Sequence, residues 1–357
     1  MKVAIDTNSL YVSQAGTSRY VRGLLRGLRS LSVPDIDFFE LAWPVANLEY
    51  QQPWRSLKTV YREWIWGNCV APVKLARQRT DILHRCTLVP IRHNSHVKEV
   101  VTLYDLGVLR HPERYRPWHR FSQTHRLRIM RRAERIICIS RFTAQEAMTL
   151  LAIPASKLET IYLGSDFAPD MSPAQEQKPA FNVPERFFLF VGSIEPGKNL
   201  ALLKAAYTIA MARHIEVPPL VIVGVRWEGV AREGTPPAAW QYVGYQSDAT
   251  LCWLYHRALA LVFPSKYEGF GLPVLEAMSL GCPVICSQVA GLPEVGGSAV
   301  WYADQTPEAY MNAMMELSRD DTIRKHLQEA GYRQSRKFSW RLCAQETCEV
   351  YRKIIQS

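Results

Sequence analysis

Several features that define other classes of protein are missing from this chain of 357 residues. No stretch approaches the roughly 18 uninterrupted apolar residues of a transmembrane helix, so a membrane-spanning protein is not expected. The first residues, Met1 to Asp6, lead directly into a predicted strand and lack the apolar core of a signal peptide. The eight cysteines are scattered without a Cys-x-x-Cys pair, which disfavours a zinc or disulfide framework. These absences predict a cytoplasmic protein with reduced thiols.

Motifs for metals and nucleic acids are also missing. No Asp-x-Asp motif follows an apolar strand, because Asp35 and Asp37 follow a proline turn instead. The chain has no internal repeat and no recognisable nucleic-acid motif. We therefore expect no metal and no other cofactor, and nucleic acid is not an expected partner.

Positive charge is concentrated in the first half of the chain. Residues 1–170 contain 25 Lys and Arg against 15 Asp and Glu, an excess that equals the net charge of +10 of the whole chain. The densest part, Arg110 to Arg135, also contains Arg114, Arg116, Arg120, Arg126, Arg128, Arg131 and Arg132, interleaved with Trp118, Phe121 and Ile129. Such a segment can lie on an anionic membrane surface or bind phosphorylated acceptors. The alternative is a solvated helix face.

Two series of apolar runs, separated by helical stretches, predict two mostly parallel sheets with helices on both faces. The first series is Val3–Asp6, Phe39–Trp43, Ile82–Cys86, Val100–Tyr104, Ile136–Ser140 and Thr160–Leu163. The second is Phe187–Val191, Leu220–Val223, Gln241–Val243, Leu259–Phe263, Pro283–Cys286 and Ala299–Tyr302. Helical spacing in the first half marks Tyr20–Leu31, Pro117–Ala133 and a helix capped by Ser140 or Thr143.

A polar, proline-rich stretch at 168–179 has the composition of a linker. We therefore expect a doubly wound domain at 1–170, a linker at 171–185, a second doubly wound domain at 186–337 and a C-terminal helix at 338–357. Ligands of such sheets bind beyond the carboxyl ends of the strands. The cleft between the two domains is the expected site.

The stretch from Phe263 to Ser287 is organised as strand, glycine loop, short helix and strand. Gly269 and Gly271 allow a ligand to approach the backbone, and the helix that follows presents N–H groups and a positive dipole end to an anion such as a diphosphate. Glu268 and Glu276 flank this loop and can accept hydrogen bonds from sugar or ribose hydroxyls. Phosphate, ribose and sugar together indicate a nucleotide sugar.

A second glycine turn, Gly192 to Asn199, follows the strand Phe187–Val191 and precedes another helix. Its Lys198 can reach a phosphate. The turn is therefore a candidate second wall of the diphosphate site.

Together, Gly192 to Asn199 and the Glu268-x7-Glu276 motif resemble the family 4 retaining glycosyltransferases of GT-B fold. The resemblance covers nearly the whole chain. Further counterparts are Val243–Tyr245, Leu292–Val295, Ser140–Thr143 and Ile161–Gly164. It implies two Rossmann-like domains that face a cleft, with the last helix crossing back to the N-terminal domain.

The resemblance also implies roles for individual residues. Backbone groups of Gly269, Phe270, Gly271 and Leu272 would contact the donor, as would the turn at Gly192 and Ser193. Glu268 would hold the donor sugar, Glu276 the ribose, and Lys198 the β-phosphate of the leaving group. Many relatives have arginine where this chain has Ser193, so either Lys198 suffices or another cation, Arg19 or Arg226, completes the site.

On the acceptor side, the turn at Gly16 resembles one that faces the diphosphate from the other domain. Asp105 follows the strand Val100–Tyr104 where relatives often have His-Asp, and it is the candidate to orient or deprotonate the acceptor hydroxyl. Its alternative role is to cap the turn after the strand. His111 and His119 are further candidates for acceptor contact.

The predicted activity is metal-independent, retaining transfer of a hexose from a nucleoside-diphosphate sugar to a glycan, in particular a lipid-linked glycan of bacterial surface polysaccharide or lipopolysaccharide. GDP-mannose is preferred by resemblance, while UDP-glucose, UDP-N-acetylglucosamine and dTDP-rhamnose stay open. The two glutamates could instead serve a hydrolase. A GT-B-fold epimerase of nucleotide sugars and a non-catalytic basic protein that binds lipid or nucleic acid also stay open. The expected location is cytoplasmic, with the option of peripheral attachment to the inner face of the plasma membrane.

Overall fold

The computed structural model describes residues 1–13, 16–46, 54–167, 177–227 and 240–356. The chain divides into two compact units, one formed by Met1–Gly164 with Ser339–Ser357 and the other by Ser165–Phe338. The division between Gly164 and Ser165 lies close to the boundary predicted at residue 170. Residues 171–176 of the predicted linker lie outside the described residues.

Each predicted apolar run corresponds to a strand of the structure. The strands of the first unit are β1 (Lys2–Asp6), β2 (Asp37–Leu41), β3 (Ile82–Arg85), β4 (Lys98–Leu103), β5 (Arg135–Cys138) and β6 (Leu158–Thr160). Those of the second are β7 (Phe188–Val191), β8 (Leu220–Val223), β9 (Gln241–Gly244), β10 (Leu261–Phe263), β11 (Val284–Ser287) and β12 (Trp301–Ala303). β6 begins two residues earlier than predicted because Ile136 of β5 pairs with Leu158.

Fourteen α-helices lie within the described ranges. In the first unit they are α1 (Ser9–Val12), α2 (Gly16–Arg29), α3 (Arg55–Val60), α4 (Ala71–Arg77), α5 (Gly107–Arg110), α6 (Pro117–Arg126), α7 (Arg141–Leu151) and the last helix, α14 (Trp340–Gln356). In the second they are α8 (Leu200–Ala212), α9 (Asp248–Arg257), α10 (Leu272–Ser279), α11 (Leu292–Gly296), α12 (Pro307–Arg319) and α13 (Asp321–Ser335). Ser140 caps α7 by accepting a hydrogen bond from the Thr143 N–H, which settles the choice of cap in favour of Ser140.

Both sheets are parallel and have six strands. The order is β2-β1-β3-β4-β5-β6 in the first unit and β12-β11-β10-β7-β8-β9 in the second. The second order is that of a Rossmann sheet, in which the chain turns from one half of the sheet to the other between the adjacent strands β7 and β10. The loops that follow these two strands therefore begin side by side.

The last helix belongs to the first unit, as predicted. α14 packs along α2, where Gly23 and Gly27 leave room for Trp340. A Cβ at Gly23 would lie 2.1 Å from the Trp340 ring, so a larger residue would separate the two helices. The described residues of both units contain no helix that is both long enough and apolar enough to cross a membrane.

The sequence patterns predict no element between Trp43 and Ile82, but the structure forms a helical segment at 55–77. A π-helix, Tyr61–Val70, joins α3 to α4 there. Its inner face buries Trp66 against the first sheet, in a cluster with Leu75 and Leu83. The π-helix changes the spacing of inward-facing residues from the 3.6-residue period, which explains why helical periodicity did not reveal the segment.

Candidate active site

Two loops of the second unit meet at the point where its sheet changes direction. One runs from Gly192 to Asn199 after β7, and the other from Pro264 to Gly271 after β10. The Lys266 N–H donates to the Gly197 carbonyl over 2.8 Å. The two sequence-predicted walls of the donor site are therefore joined directly through their backbones.

The first loop contains a 3₁₀ turn, Pro196–Lys198, that fixes the position of the lysine. Glu195 caps this turn, because its carboxylate accepts a hydrogen bond from the Gly197 N–H over 2.6 Å. Asn199 then has a positive φ of 59° and leads into α8. A cap on one side and a left-handed residue on the other determine where Lys198 leaves the backbone.

Lys198 forms an ion pair with Glu268 of the second loop. The Lys198 Nζ atom lies 2.5 Å from Glu268 Oε1, and the two side chains are only 17% and 13% exposed. The ammonium also lies 5.2 Å from the centroid of the Phe263 ring. Because few water molecules can screen this pair, a charge brought close to it interacts more strongly than it would at the surface.

The second loop passes into α10 through Gly271, the residue before the helix. Gly271 has a φ of +106°, and a Cβ there would lie 2.5 Å from Leu292 Cδ2. The loop is also fixed from outside, since the Gly291 N–H donates to the Glu268 carbonyl over 3.0 Å. The Gly269–Leu272 backbone thus lies at the N-terminal, positive end of α10, a favourable place for an anion. The Phe270 side chain packs inward, edge to face against Phe338.

Glu276 lies in the second turn of α10 and is 3% exposed. Its Oε2 atom accepts a hydrogen bond from the Tyr255 hydroxyl over 3.2 Å. Tyr255 is completely buried in α9, and its ring packs edge to face against Phe167. The sequence identified Glu276 but not its partner, because nothing in the helical pattern of α9 distinguishes Tyr255 from an ordinary core tyrosine.

Ser193, where the resemblance leads us to expect an arginine, is half-buried after β7. The next residue, Ile194, forms a parallel bridge with Arg226, one of the two cations that the sequence offers as substitutes. The Arg226 guanidinium lies 5.6 Å from the Tyr242 ring centroid. The backbone of Arg226 therefore lies beside the turn that contains Ser193. The other candidate, Arg19, lies in α2 of the first unit.

The acceptor-side candidates lie in the first unit. Gly16 begins α2. Asp105 is exposed after β4, and its Oδ1 atom accepts a hydrogen bond from the Gly107 N–H over 2.8 Å, the turn-capping contact that was its alternative role. His111 Nδ1 lies 3.3 Å from Glu113 Oε1, and the side chain of His119 lies outside the described residues. The structure therefore gives Asp105 and His111 local partners of their own.

A series of hydrogen-bonded, buried polar side chains in the first unit was not predicted. His84 Nδ1 lies 2.6 Å from the Tyr351 hydroxyl of α14, and its Nε2 lies 2.8 Å from Thr102 Oγ1, which is 3.0 Å from the Tyr20 hydroxyl of α2. Burial lowers the pKa of His84 to about 3, so this imidazole is neutral in the folded protein at neutral pH. These hydrogen bonds link α2 and α14 to the first sheet.

Asp6 holds two loops of the first sheet together in a similar way. It ends β1, is buried, and accepts hydrogen bonds from the Asn8 N–H over 3.0 Å and the Thr87 N–H over 3.1 Å. Burial raises the pKa of its carboxyl group, while the bonds from Thr87 and Asn8 lower it. β1 and β3 are adjacent in the first sheet, so Asp6 ties the loops after them as Lys198 and Glu268 tie those of the second.

Two family models match this sequence. Glycosyl transferases group 1 matches residues 171–334, and Glycosyltransferase Family 4 matches residues 15–168. O-antigen chain mannosyltransferase B of Escherichia coli is 34% identical over 274 residues, which cover 72% of this chain and 71% of the relative. The serotype-specific mannosyltransferase WbdA of Escherichia coli is 31% identical over 276 residues, but the match covers only 34% of that longer protein.

Solved structures share the fold at low sequence identity. Sucrose-phosphate synthase from Thermosynechococcus elongatus aligns over 100% of this chain and 99% of its own, with a TM-score of 0.72 and 20% identity. The Anabaena protein Alr3699/HepE, in complex with UDP-glucose, aligns over 99% of this chain and 100% of its own, with a TM-score of 0.68 and 16% identity. WaaG, a glycosyltransferase involved in lipopolysaccharide biosynthesis, aligns over 98% of this chain and 99% of its own, with a TM-score of 0.65 and 13% identity. The two-domain α/β architecture predicted from the sequence is confirmed.

Proposed function

This chain belongs to glycosyltransferase family 4, among the group 1 glycosyltransferases, and we propose that it transfers mannose from GDP-mannose to a hydroxyl of a glycan acceptor. The mannosyltransferase activity of its Escherichia coli relatives supports mannose as the sugar. Their O-antigen and serotype names support a lipid-linked glycan of bacterial surface polysaccharide or lipopolysaccharide as the acceptor. The observation that carries the proposal is the ion pair between Lys198 and Glu268 where β7 and β10 diverge.

The second unit holds the donor in this proposal. When a nucleoside-diphosphate sugar binds, the Lys198 ammonium contacts the β-phosphate and the Gly269–Leu272 backbone donates to diphosphate or sugar oxygens. As the glycosidic bond breaks, negative charge grows on the leaving diphosphate, and a fixed cation lowers the free energy of that transition state. In the bound donor, Glu268 accepts hydrogen bonds from the sugar hydroxyls. Glu276, which Tyr255 orients, accepts hydrogen bonds from the ribose hydroxyls.

Transfer retains the anomeric configuration in this proposal, as the resemblance to the family 4 retaining glycosyltransferases implies, and it proceeds by front-side displacement. It needs no metal ion in this proposal, since Lys198 supplies the cation at the diphosphate, and Arg226, whose backbone pairs with Ile194, is a candidate for a second cation. Asp105, from the first unit, orients the acceptor hydroxyl or accepts its proton.

We further propose that the enzyme works in the cytoplasm at the inner face of the plasma membrane, where the Arg110–Arg135 segment contacts anionic lipid. Arg128, Arg131 and Arg132 are exposed in this segment, in keeping with such a contact. Neutralising these three residues is expected to weaken binding to anionic vesicles, and salt is expected to weaken the binding of the wild type. Wild-type binding that the three substitutions leave unchanged would contradict this role for the segment.

The test of function is a transfer assay with product analysis. The purified enzyme is given GDP-mannose, UDP-glucose, UDP-N-acetylglucosamine or dTDP-rhamnose, each with and without a lipid-linked glycan acceptor. We expect acceptor-dependent release of GDP and a product with one added α-linked mannose. Conversion of free donor to its epimer without an acceptor would replace the proposal with an epimerase, and free sugar as the main product would replace it with a hydrolase.

A further inference from the structure

Large apolar side chains are exposed along the helical segment 54–77 of the first unit. The six that are most exposed there are Trp54 (66%), Leu57 (59%), Val60 (51%), Trp64 (70%), Ile65 (49%) and Val73 (49%). We name these six residues the Trp54–Val73 face. We propose that the Trp54–Val73 face inserts into the interfacial layer of an anionic lipid bilayer. This deepens the membrane attachment proposed for Arg110–Arg135 and is independent of the donor assignment.

The segment contains both fully buried and strongly exposed apolar side chains. Trp66 and Leu75 are 2% and 1% exposed and pack against the first sheet. Val60, Trp64 and Val73 are separated by four and nine residues, about one and two turns of a helix that is partly of the π type. Val60, Trp64 and Val73 therefore lie along one side of the segment, away from the buried Trp66.

The chemistry of the Trp54–Val73 face fits a membrane interface. Two tryptophans lie among aliphatic side chains, and tryptophan favours the headgroup level of a bilayer. Amphipathic helices that lie in a membrane surface combine such a face with flanking lysine and arginine. Lys58, Lys74 and Arg77 supply these cations within the same segment.

The neighbouring helix adds further positive charge. Glu63 is the sole acidic residue between residues 54 and 77, and its carboxylate pairs with Arg126 of α6 over 2.6 Å. This ion pair places the segment beside α6 and the turn that follows it. Exposed arginines of that region are Arg116, Arg120, Arg128, Arg131 and Arg132. Phe121 of α6 is also 67% exposed.

Charge also decides between a membrane and a second copy of the chain as the occupant. Two copies joined through this face would bring their arginine-rich helices together with few acidic groups to compensate, and like charges at an interface are unfavourable. An anionic bilayer instead offers negative headgroups to the arginines and an apolar layer to the tryptophans. The observations therefore favour lipid.

The experiment is vesicle binding with matched tryptophan variants of the full chain. Trp54→Ser/Trp64→Ser removes the two aromatic side chains of the face, and Trp227→Ser, in the second unit, removes a tryptophan that is 41% exposed. Each protein is sedimented with phosphatidylcholine vesicles that contain phosphatidylglycerol, at low and high salt. We expect the double variant to bind at least tenfold more weakly and to lose the binding that the wild type retains at high salt, while Trp227→Ser binds normally.

A second measurement does not depend on any loss of binding. Brominated lipids are expected to quench wild-type tryptophan fluorescence, and Trp54→Phe/Trp64→Phe, which keeps the face apolar, is expected to bind with most of that quenching removed. Equal vesicle binding by the wild type and Trp54→Ser/Trp64→Ser would overturn the proposal. So would a wild-type dimer that this variant dissociates in sedimentation velocity, because the occupant would then be a second copy. GDP binding by the two double variants at Trp54 and Trp64 is expected to equal that of the wild type. This measurement therefore separates a failure of the lipid proposal from a failure of the donor-site proposal.

Discussion

Lys198 and Glu268, 70 positions apart in the chain, form an ion pair with an Nζ to Oε1 distance of 2.5 Å. The pair exists because β7 and β10 are neighbours in the second sheet, so the loops that follow them begin together. A cation is thereby held next to the N-terminus of α10, where a diphosphate would be expected to bind.

Removing the charge of Lys198 is expected to reduce transfer severely. Lys198→Met keeps most of the side-chain volume but leaves no cation for the leaving diphosphate, and we expect kcat to fall by about 100- to 1,000-fold. Lys325→Met, at an exposed position of α13, is the control and should retain full activity. Steady-state kinetics of both variants provide the measurement, and a Lys198→Met enzyme with wild-type kcat would exclude Lys198 from catalysis.

The hydroxyl of Tyr255 is expected to affect donor binding through Glu276. Tyr255→Phe removes the hydrogen bond to Glu276 Oε2, and we expect the Kd for GDP to rise about 2- to 10-fold, the effect of one hydrogen bond. Tyr207→Phe is the matched control, because that buried hydroxyl donates to the Pro218 carbonyl over 2.7 Å. Equal GDP affinity of Tyr255→Phe and wild type in calorimetry would show that Tyr255 has only a structural role.

Gly224 is expected to be essential for the first donor loop. It has a φ of +144°, and a Cβ there would lie 1.8 Å from the Gly192 carbonyl oxygen, so Gly224→Ala must displace the turn before Ser193. We expect a loss of about 3 kcal/mol or more in the free energy of unfolding. Gly244 also has a positive φ, but a Cβ there would meet no atom within 4 Å. Gly244→Ala should therefore lower the free energy of unfolding by only about 1 kcal/mol. Urea denaturation measures the free energy of unfolding of both variants. Equal losses would show that the close approach of Gly224 to the Gly192 carbonyl does not matter for stability.

His84 is expected to make the first unit less stable in mild acid. Because burial lowers its pKa from 6.5 to about 3, the unfolded chain binds a proton below pH 6.5 that the folded chain does not bind. Stability therefore falls as the pH decreases from 6.5 towards 3, and between pH 7 and pH 5 the loss from this residue is about 2 kcal/mol. Burial raises the pKa of Asp6, so its carboxylate takes up a proton more readily in the folded state than in the unfolded state. Asp6 therefore contributes to the pH dependence of stability with the opposite sign.

The His84 contribution can be isolated by comparing slopes. Urea denaturation of wild type and His84→Gln at pH 7, 6 and 5 should give a shallower dependence on pH for the variant, whatever its stability at pH 7. Asp6 is present in both proteins and does not affect the difference. Parallel pH dependences would show that His84 does not remain neutral in the fold.

The sequence predicted the strands well because their apolar runs are short, fully buried and separated by clear turn residues. It placed Lys198 and Glu268 in one donor site, through a resemblance and through glycine turns before helices. It could not give their direct contact, which depends on the order of strands in the sheet. Tyr255 and His84 were missed for a related reason, since a buried polar residue shows its partners only after distant elements pack together. The 55–77 segment was missed because its π-helix departs from ordinary helical periodicity.

Calorimetric titration of GDP, UDP and dTDP into the wild type and Lys198→Met measures whether the Lys198 and Glu268 loops bind a GDP-sugar. We expect GDP to bind most tightly to the wild type and at least tenfold more weakly to Lys198→Met, because the lysine contacts the β-phosphate. GDP affinity that is the same in both proteins, or the absence of GDP binding to the wild type, would contradict the assignment of this loop pair as a GDP-sugar site.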